Sequence, residues 1–137
     1  MRKPSWIEER DVLAIHDRLL GLDGGAAGVR DEGLLQAALA RPQQLHASGE
    51  QPDTLELAAA YTTGIVRNHP FIDGNKRTGF VIGVLFLEMN GYRLTASEED
   101  ATQAVLGLAA GTLDEIAFAA WLRANVKRQA RSKTGLL

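Results

Sequence analysis

The run FVIGVLFLEM, from Phe80 to Met89, carries no polar side chain before Glu88. Wound as a helix, it turns Phe80, Val81, Ile82, Val84, Leu85, Phe86, Leu87 and Met89 to every side and leaves no face for water. It is too short to span a bilayer, which takes ~20 apolar residues, and Glu88 interrupts it. Such a helix has to be the buried centre of a bundle. The rest of the chain must then supply helices to cover it.

Helical periodicity accounts for most of the sequence, and no segment alternates in the manner of a strand. A first helix is expected over residues 6 to 20, with Val12, Ile15 and Leu19 on one stripe. The four glycines of GLDGGAAGVRD break it. Asp31 caps a short helix carrying Leu34, Leu35, Ala38 and Leu39 that stops before Pro42, and residues 43 to 52 read as loop. Asp53 and Glu56 have capping-box spacing for a helix ending near Asn68. The apolar helix then runs from Asn75 to Asn90, with Gly91 as its stop. Ser97 caps a fifth helix, and Thr112 with Glu115 would box the start of a sixth. The tail KRQARSKTGLL, from residue 127, is basic and unpatterned, and fraying is expected there. The reading is all-α: one domain over residues 1 to 137, with about six helices around a buried central helix.

Composition excludes several classes. With 137 residues, 45% apolar and 23% charged, the chain matches one ordinary soluble domain. A formal charge of −2 gives no reason to expect generic nucleic-acid binding. The absence of cysteine excludes disulfides and thiolate metal sites. The start, MRKPSWIEERDV, reaches glutamates before any apolar run, unlike a secretory signal. A cytoplasmic protein with no membrane association is the expectation.

The polar residues cluster where the apolar helix begins. The stretch NHPFIDGNKRTGF puts His69, Asp73, Asn75, Lys76 and Arg77 within ten residues. Basic side chains oppose the positive end of a helix dipole by a few tenths to about 1 kcal/mol each. That cost makes sense where an anion docks on the free N–H groups of the first turn. Arg grips phosphate oxygens as a fork, and Lys supplies a mobile charge. Pro70 biases His69 out of the helical region, towards an ordered loop facing that anion. Phe71 and Ile72 would anchor the loop in the core. Asp73 offers hard oxygen ligands of the kind Mg2+ takes alongside substrate phosphates. Gly74 permits close approach or a positive φ. Each residue also has an ordinary structural use: a histidine beside a proline, solvated cations, an aspartate capping a turn. Their conjunction at the mouth of an apolar helix favours phosphoryl or nucleotidyl transfer.

The segment HPFIDGNKR, residues 69 to 77, resembles the signature of the Fic/Doc proteins. Lysine before arginine resembles the Doc branch, the "death on curing" toxins. The likeness extends over VLAIHDRLLGLDGGAAGVRDEGLLQAALARPQ and FVIGVLFLEMNGYRL, roughly residues 7 to 125. The resemblance implies a helical protein that moves phosphate-containing groups from nucleotides to protein hydroxyls. It would make His69 the general base and Asp73 the Mg2+ ligand on ATP. The Gly74 amide and the side chains of Asn75, Lys76 and Arg77 would hold the phosphates, and Phe71 would pin the loop. Members that transfer AMP usually carry glycine where Lys76 stands and a second arginine where Phe80 stands. The two departures point to a Doc-like kinase toxin of a type II toxin–antitoxin system, phosphorylating a threonine of elongation factor Tu and inhibiting translation. Its partner would be a Phd-type antitoxin. AMP transfer to a protein hydroxyl is the alternative, and a non-enzymatic binding module the third reading.

Other features carry less. By the same resemblance, the Gly-rich segment 21 to 33 would be a flap that orders against the target. It lacks the Lys-Ser or Lys-Thr of a Walker loop. His16 reads as a structural histidine, His46 as a loop residue, and Arg67 as an exposed helix-end cation. Ser5 with Glu9, and Thr95 with Glu99, share the spacing of an inhibitory motif found in some Fic proteins. Arg10 or Asp100 follows instead of Gly or Asn, so both read as coincidence.

Overall fold

A computed structural model describes residues 3–129 and contains six helices and a small two-stranded sheet among them. The helices are α1 (Glu9–Asp23), α2 (Glu32–Ala47), α3 (Thr54–Asn68), α4 (Asn75–Met89), α5 (Glu98–Ala110) and α6 (Glu115–Ala124). The strands are β1 (Tyr92–Leu94) and β2 (Val126–Arg128). The all-α class holds, with the sheet as a minor addition.

The centre of the bundle is α3 rather than α4. Every residue from Leu57 to Val66 is buried, and α3 packs against α2, α4, α5 and α6. This stretch, LAAAYTTGIV, is built mostly of small side chains, so several helices can approach it at once. The buried residues of α4 lie instead on one helical stripe: Asn75, Thr78, Gly79, Ile82, Gly83, Phe86 and Leu87. Phe80, Val81, Val84, Leu85 and Met89 are only half-buried. The expectation of a helix buried on every side is corrected here: β1, α1 and α5 cover its outer faces in part.

Two glycines set the α3–α4 spacing. A Cβ on Gly83 would lie 2.2 Å from Thr62 Oγ1, and one on Gly79 would lie 2.8 Å from Val66 Cγ2. The Thr62 hydroxyl donates across the seam to the Gly79 carbonyl at 2.8 Å. On the other side of α3, a Cβ on Gly64 would come within 3.1 Å of Ala38 Cβ.

The helix boundaries show which local signals win. Asp53 and Glu56 form the reciprocal capping box, with bonds of 2.8 and 2.9 Å. Asp31 and Ser97 cap α2 and α5 as expected. Helix α1 starts at Glu9, later than residue 6: Glu8 is its extended N-cap, and Trp6 and Ile7 pack on the core ahead of it. Helix α2 runs through Pro42 to Ala47, where a stop before the proline was expected. Burial of the Pro42 ring offsets the hydrogen bond that a proline removes from a helix. The last helix is capped by Asp114 through Ala117 N–H (2.8 Å), not by Thr112. Thr112 instead closes the end of α5 by bonding to the Gly107 carbonyl, and Glu115 forms a two-pronged pair with Arg41.

The sheet contradicts the expectation of no strands. Strands β1 and β2 pair antiparallel, Tyr92 opposite Arg128 and Leu94 opposite Val126. Lys127 and Arg128, expected to fray, therefore belong to a strand, and the Arg128 guanidinium sits 5.4 Å from the Tyr92 ring centre. Three-residue strands are too short to display alternation. The remainder of the tail, residues 130–137, lies outside the described residues. Among the described residues no helix is long and apolar enough to cross a membrane.

Candidate active site

The loop between α3 and α4 is held from below by three side chains. Phe71 is fully buried and stacks on His16 of α1, with ring centres 3.8 Å apart and planes 11° from parallel. His16 is buried too, and its Nε2 lies 2.8 Å from the Asp73 carbonyl oxygen. A carbonyl only accepts, so Nε2 carries the ring proton in this contact. Asn75 closes the loop: its Oδ1 accepts from Phe71 N–H and its Nδ2 donates to the Phe71 carbonyl, both at 2.9 Å. Those bonds commit both polar atoms of the Asn75 side chain to the loop. Its backbone N–H lies in the first turn of α4, and the second hydrogen of Nδ2 is not used in these bonds.

The chain enters and leaves this loop in the left-handed region. His69 has φ 50° and ψ 55° and ends α3, with its N–H bonded to the Ile65 carbonyl at 3.3 Å. Histidine visits this region rarely, at a cost of order 1–3 kcal/mol that the surroundings must offset. Gly74 has φ 80° and stands at the N-cap of α4 without a side-chain cap. Only glycine takes that conformation cheaply. The first helical bond here runs from Thr78 N–H to the Gly74 carbonyl. Helix geometry leaves the N–H groups of Asn75, Lys76 and Arg77 without intrahelical acceptors.

The segment 24 to 31 lies along the loop's outer edge. Val29 bridges Phe71 in antiparallel fashion, Ile72 N–H donates to the Gly28 carbonyl (3.1 Å), and Ala26 N–H donates to Asp73 Oδ2 (2.9 Å). Ile72, expected to anchor the loop, is 52% exposed and covers Gly28 instead. A side chain next to an inward-facing Phe71 in a bridge has to face outward.

His69, Asp73, Lys76 and Arg77 thus stand exposed around one helix start. Arg77 pairs with Asp23 at the end of α1 (2.8 Å), a contact that no local pattern announces. Lys76, Arg77, Phe80, Val81, Leu94 and Val105 line part of a groove of about 480 Å³ running from this point towards α5. Arg67, two residues before His69, is spent elsewhere: it donates to the Leu108 and Leu113 carbonyls and ties α3 to the α5–α6 turn. The inhibitory spacings do not lie on helices, since Ser5 precedes α1 and Thr95 precedes α5. Among the described residues no group of three metal-ligating side chains exists. Two carboxylates stand at the helix start: Asp23, paired with Arg77, and Asp73, whose Oδ2 accepts from Ala26 N–H.

The model of the Fic/DOC family matches residues 6–87. The chain belongs to the Fic/DOC family. It is 35% identical over 117 residues to "Protein kinase doc" of Escherichia phage P1, covering 85% of this chain and 92% of that protein. It is 45% identical over 92 residues to "Toxin Doc" of Mycolicibacterium smegmatis, covering 66% of this chain and 68% of that protein. Both relatives carry the Doc name, and the chain falls in the Doc branch. The matched family segment ends inside α4, so it contains α1, α2, α3 and the whole loop that builds the helix-start site.

Proposed function

We propose that this Doc-branch chain is the toxin of a type II toxin–antitoxin system and acts as a protein kinase. It would transfer the γ-phosphate of ATP to a threonine hydroxyl of elongation factor Tu in the cytoplasm and so inhibit translation. The observation that carries the reading is the start of α4. A left-handed Gly74, three N–H donors, Lys76 and Arg77 converge there beside an exposed His69. The relatives named as a toxin and as a protein kinase support the same reading.

In this mechanism the α4 N–H groups, Lys76 and Arg77 hold the nucleotide phosphates at the positive end of the helix. His69 takes the proton of the acceptor hydroxyl as its oxygen attacks the γ-phosphorus. The bond from that phosphorus to the β–γ bridging oxygen breaks, ADP leaves, and the proton stays on His69. The donor set fits Mg2+, which commonly uses one or two protein carboxylates plus substrate phosphates, and Asp73 is the residue that would hold it. Bound there, Mg2+ would neutralise phosphate charge. Phe80, half-buried in the groove wall, stands where AMP-transferring relatives of the family carry a second arginine. That arrangement favours phosphoryl over AMP transfer. The partner would be a Phd-type antitoxin, whose amphipathic segment would cover the apolar wall formed by Phe80, Val81, Leu94 and Val105.

The test is label transfer from ATP carrying the label at either the α- or the γ-phosphate, with purified elongation factor Tu as acceptor. Label from γ-labelled ATP alone is the expected result, and it should vanish in His69→Ala. Retention of label only from α-labelled ATP would sink the kinase reading in favour of AMP transfer. Growth arrest that survives His69→Ala would point to a binding module instead.

A further inference from the structure

The His69 imidazole is exposed, and no described residue holds it by a hydrogen bond. Its direction is therefore fixed only through its backbone, which sits in the left-handed region. Besides its own N–H bond to the Ile65 carbonyl (3.3 Å), that backbone is held by one residue from the segment before α2. Arg30 donates from Nη2 to the Asn68 carbonyl (2.9 Å) and from Nε to the His69 carbonyl (2.7 Å). Its own N–H donates to the Pro70 carbonyl at 2.7 Å, with Asp31 N–H bonding the same oxygen at 3.1 Å. Three consecutive carbonyls, the last of α3 and the two after it, thus converge on Arg30.

These contacts suit the chemistry of each partner. The final carbonyls of a helix lack intrahelical donors and carry the negative end of its dipole, so a cation there is favoured. A guanidinium presents parallel donors in a rigid fork that an ammonium lacks. The Val29–Phe71 bridge fixes the backbone from which the Arg30 side chain extends. The fork is aimed before any ligand arrives.

We propose that Arg30 is the positioning residue for His69: it holds the histidine backbone in the left-handed conformation that turns the imidazole to the reacting hydroxyl. The role in turnover rests on His69 being the base, whereas the effect on the backbone does not. The Arg30 side chain donates to the Asn68 and His69 carbonyls, not to the first turn of α4. Its loss should lower turnover while leaving nucleotide binding at α4 intact. A plain stabilising cap, once removed, would cost folding stability and leave the turnover of the folded protein unchanged.

The experiment compares the full-length wild type with Arg30→Gln and Arg30→Lys. In the first arm, NMR of the histidine-labelled protein follows the 13Cα shift of each of the three histidines. In Arg30→Gln the His69 shift should move away from its left-handed value, with His16 and His46 unmoved. Arg30→Lys should move it less. In the second arm, γ-labelled ATP and elongation factor Tu give kcat and the KM for ATP. A drop in kcat of roughly tenfold or more, with KM within about twofold, is expected, because small misplacements of a catalytic group cost that much. An unmoved His69 shift in both variants overturns the proposal, as does a kcat equal to that of the wild type. If the wild type itself labels no acceptor, the kinase reading fails and the NMR arm alone decides what Arg30 does.

Discussion

Gly83→Ala tests whether the α3–α4 seam, on which the helix-start site depends, is as close as the structure shows. In an open helix this change would stabilise by up to about 1 kcal/mol, through propensity alone. Here the new Cβ would lie 2.2 Å from Thr62 Oγ1 and 3.3 Å from the Ala58 carbonyl. Thr62 would have to rotate, giving up its 2.8 Å bond to the Gly79 carbonyl, or α4 would have to move outward. Losing that bond costs about 0.5–1.5 kcal/mol, and overpacking a close seam costs about 1–3 kcal/mol. The sum, less the propensity gain, is a net destabilisation of about 1–3 kcal/mol. A double-mutant cycle isolates the cause. In a Thr62→Ala background the 2.2 Å contact is gone, and what remains is the 3.6 Å contact to the residue-62 Cβ and the Ala58 carbonyl at 3.3 Å. Gly83→Ala should then be near neutral, giving a coupling of about 1–3 kcal/mol between the two sites. Urea unfolding followed by circular dichroism measures all four proteins. Equal effects of Gly83→Ala in both backgrounds, or a stabilised single mutant, would refute the close seam.

Two further outcomes follow from contacts at the edge of the site and in the core. Asp23→Asn frees Arg77 from a half-exposed ion pair, so nucleotide affinity measured by calorimetry should rise roughly twofold to fivefold, the range a surface pair supports; weaker binding would mean that Asp23 helps the ligand. Burial pushes the Tyr61 hydroxyl above its ordinary value of 10.0, opposed by the N–H that Ile7 donates to it at 3.2 Å. A raised value means stability held below pH 10 and lost as pH climbs, since the unfolded tyrosine ionises first. Tyr61→Phe should cost about 1–3 kcal/mol at neutral pH by orphaning the Ile7 N–H, and the gap to the wild type should shrink above pH 10 in unfolding titrations; a constant gap would remove Tyr61 from the alkaline limb.

The sequence displayed the parts of the site more clearly than the parts of its support. His69, Asp73, Gly74, Lys76 and Arg77 could be read as a unit because each breaks a local preference within nine residues, and such breaks cluster at functional sites. The residues that hold them break nothing. His16 is one polar position on an otherwise ordinary amphipathic helix, and Arg30 is one cation in a glycine-rich loop. Each acquires its meaning only when the fold brings it to a carbonyl some 40 to 60 residues away. The fold was misjudged at its centre for a related reason. Hydrophobicity ranks FVIGVLFLEM above LAAAYTTGIV, but the centre of a bundle has to admit neighbours on every side. Small side chains permit that and large ones do not, so α3 took the axis and α4 became the wall. This exchange matters to the site. A helix at the very axis would bury its own first turn, whereas a helix packed by one stripe of Gly79 and Gly83 can press closely on α3 and still present Lys76 and Arg77 to solvent. The glycines that look like flaws in the apolar run are what let a core helix begin in an open, charged mouth.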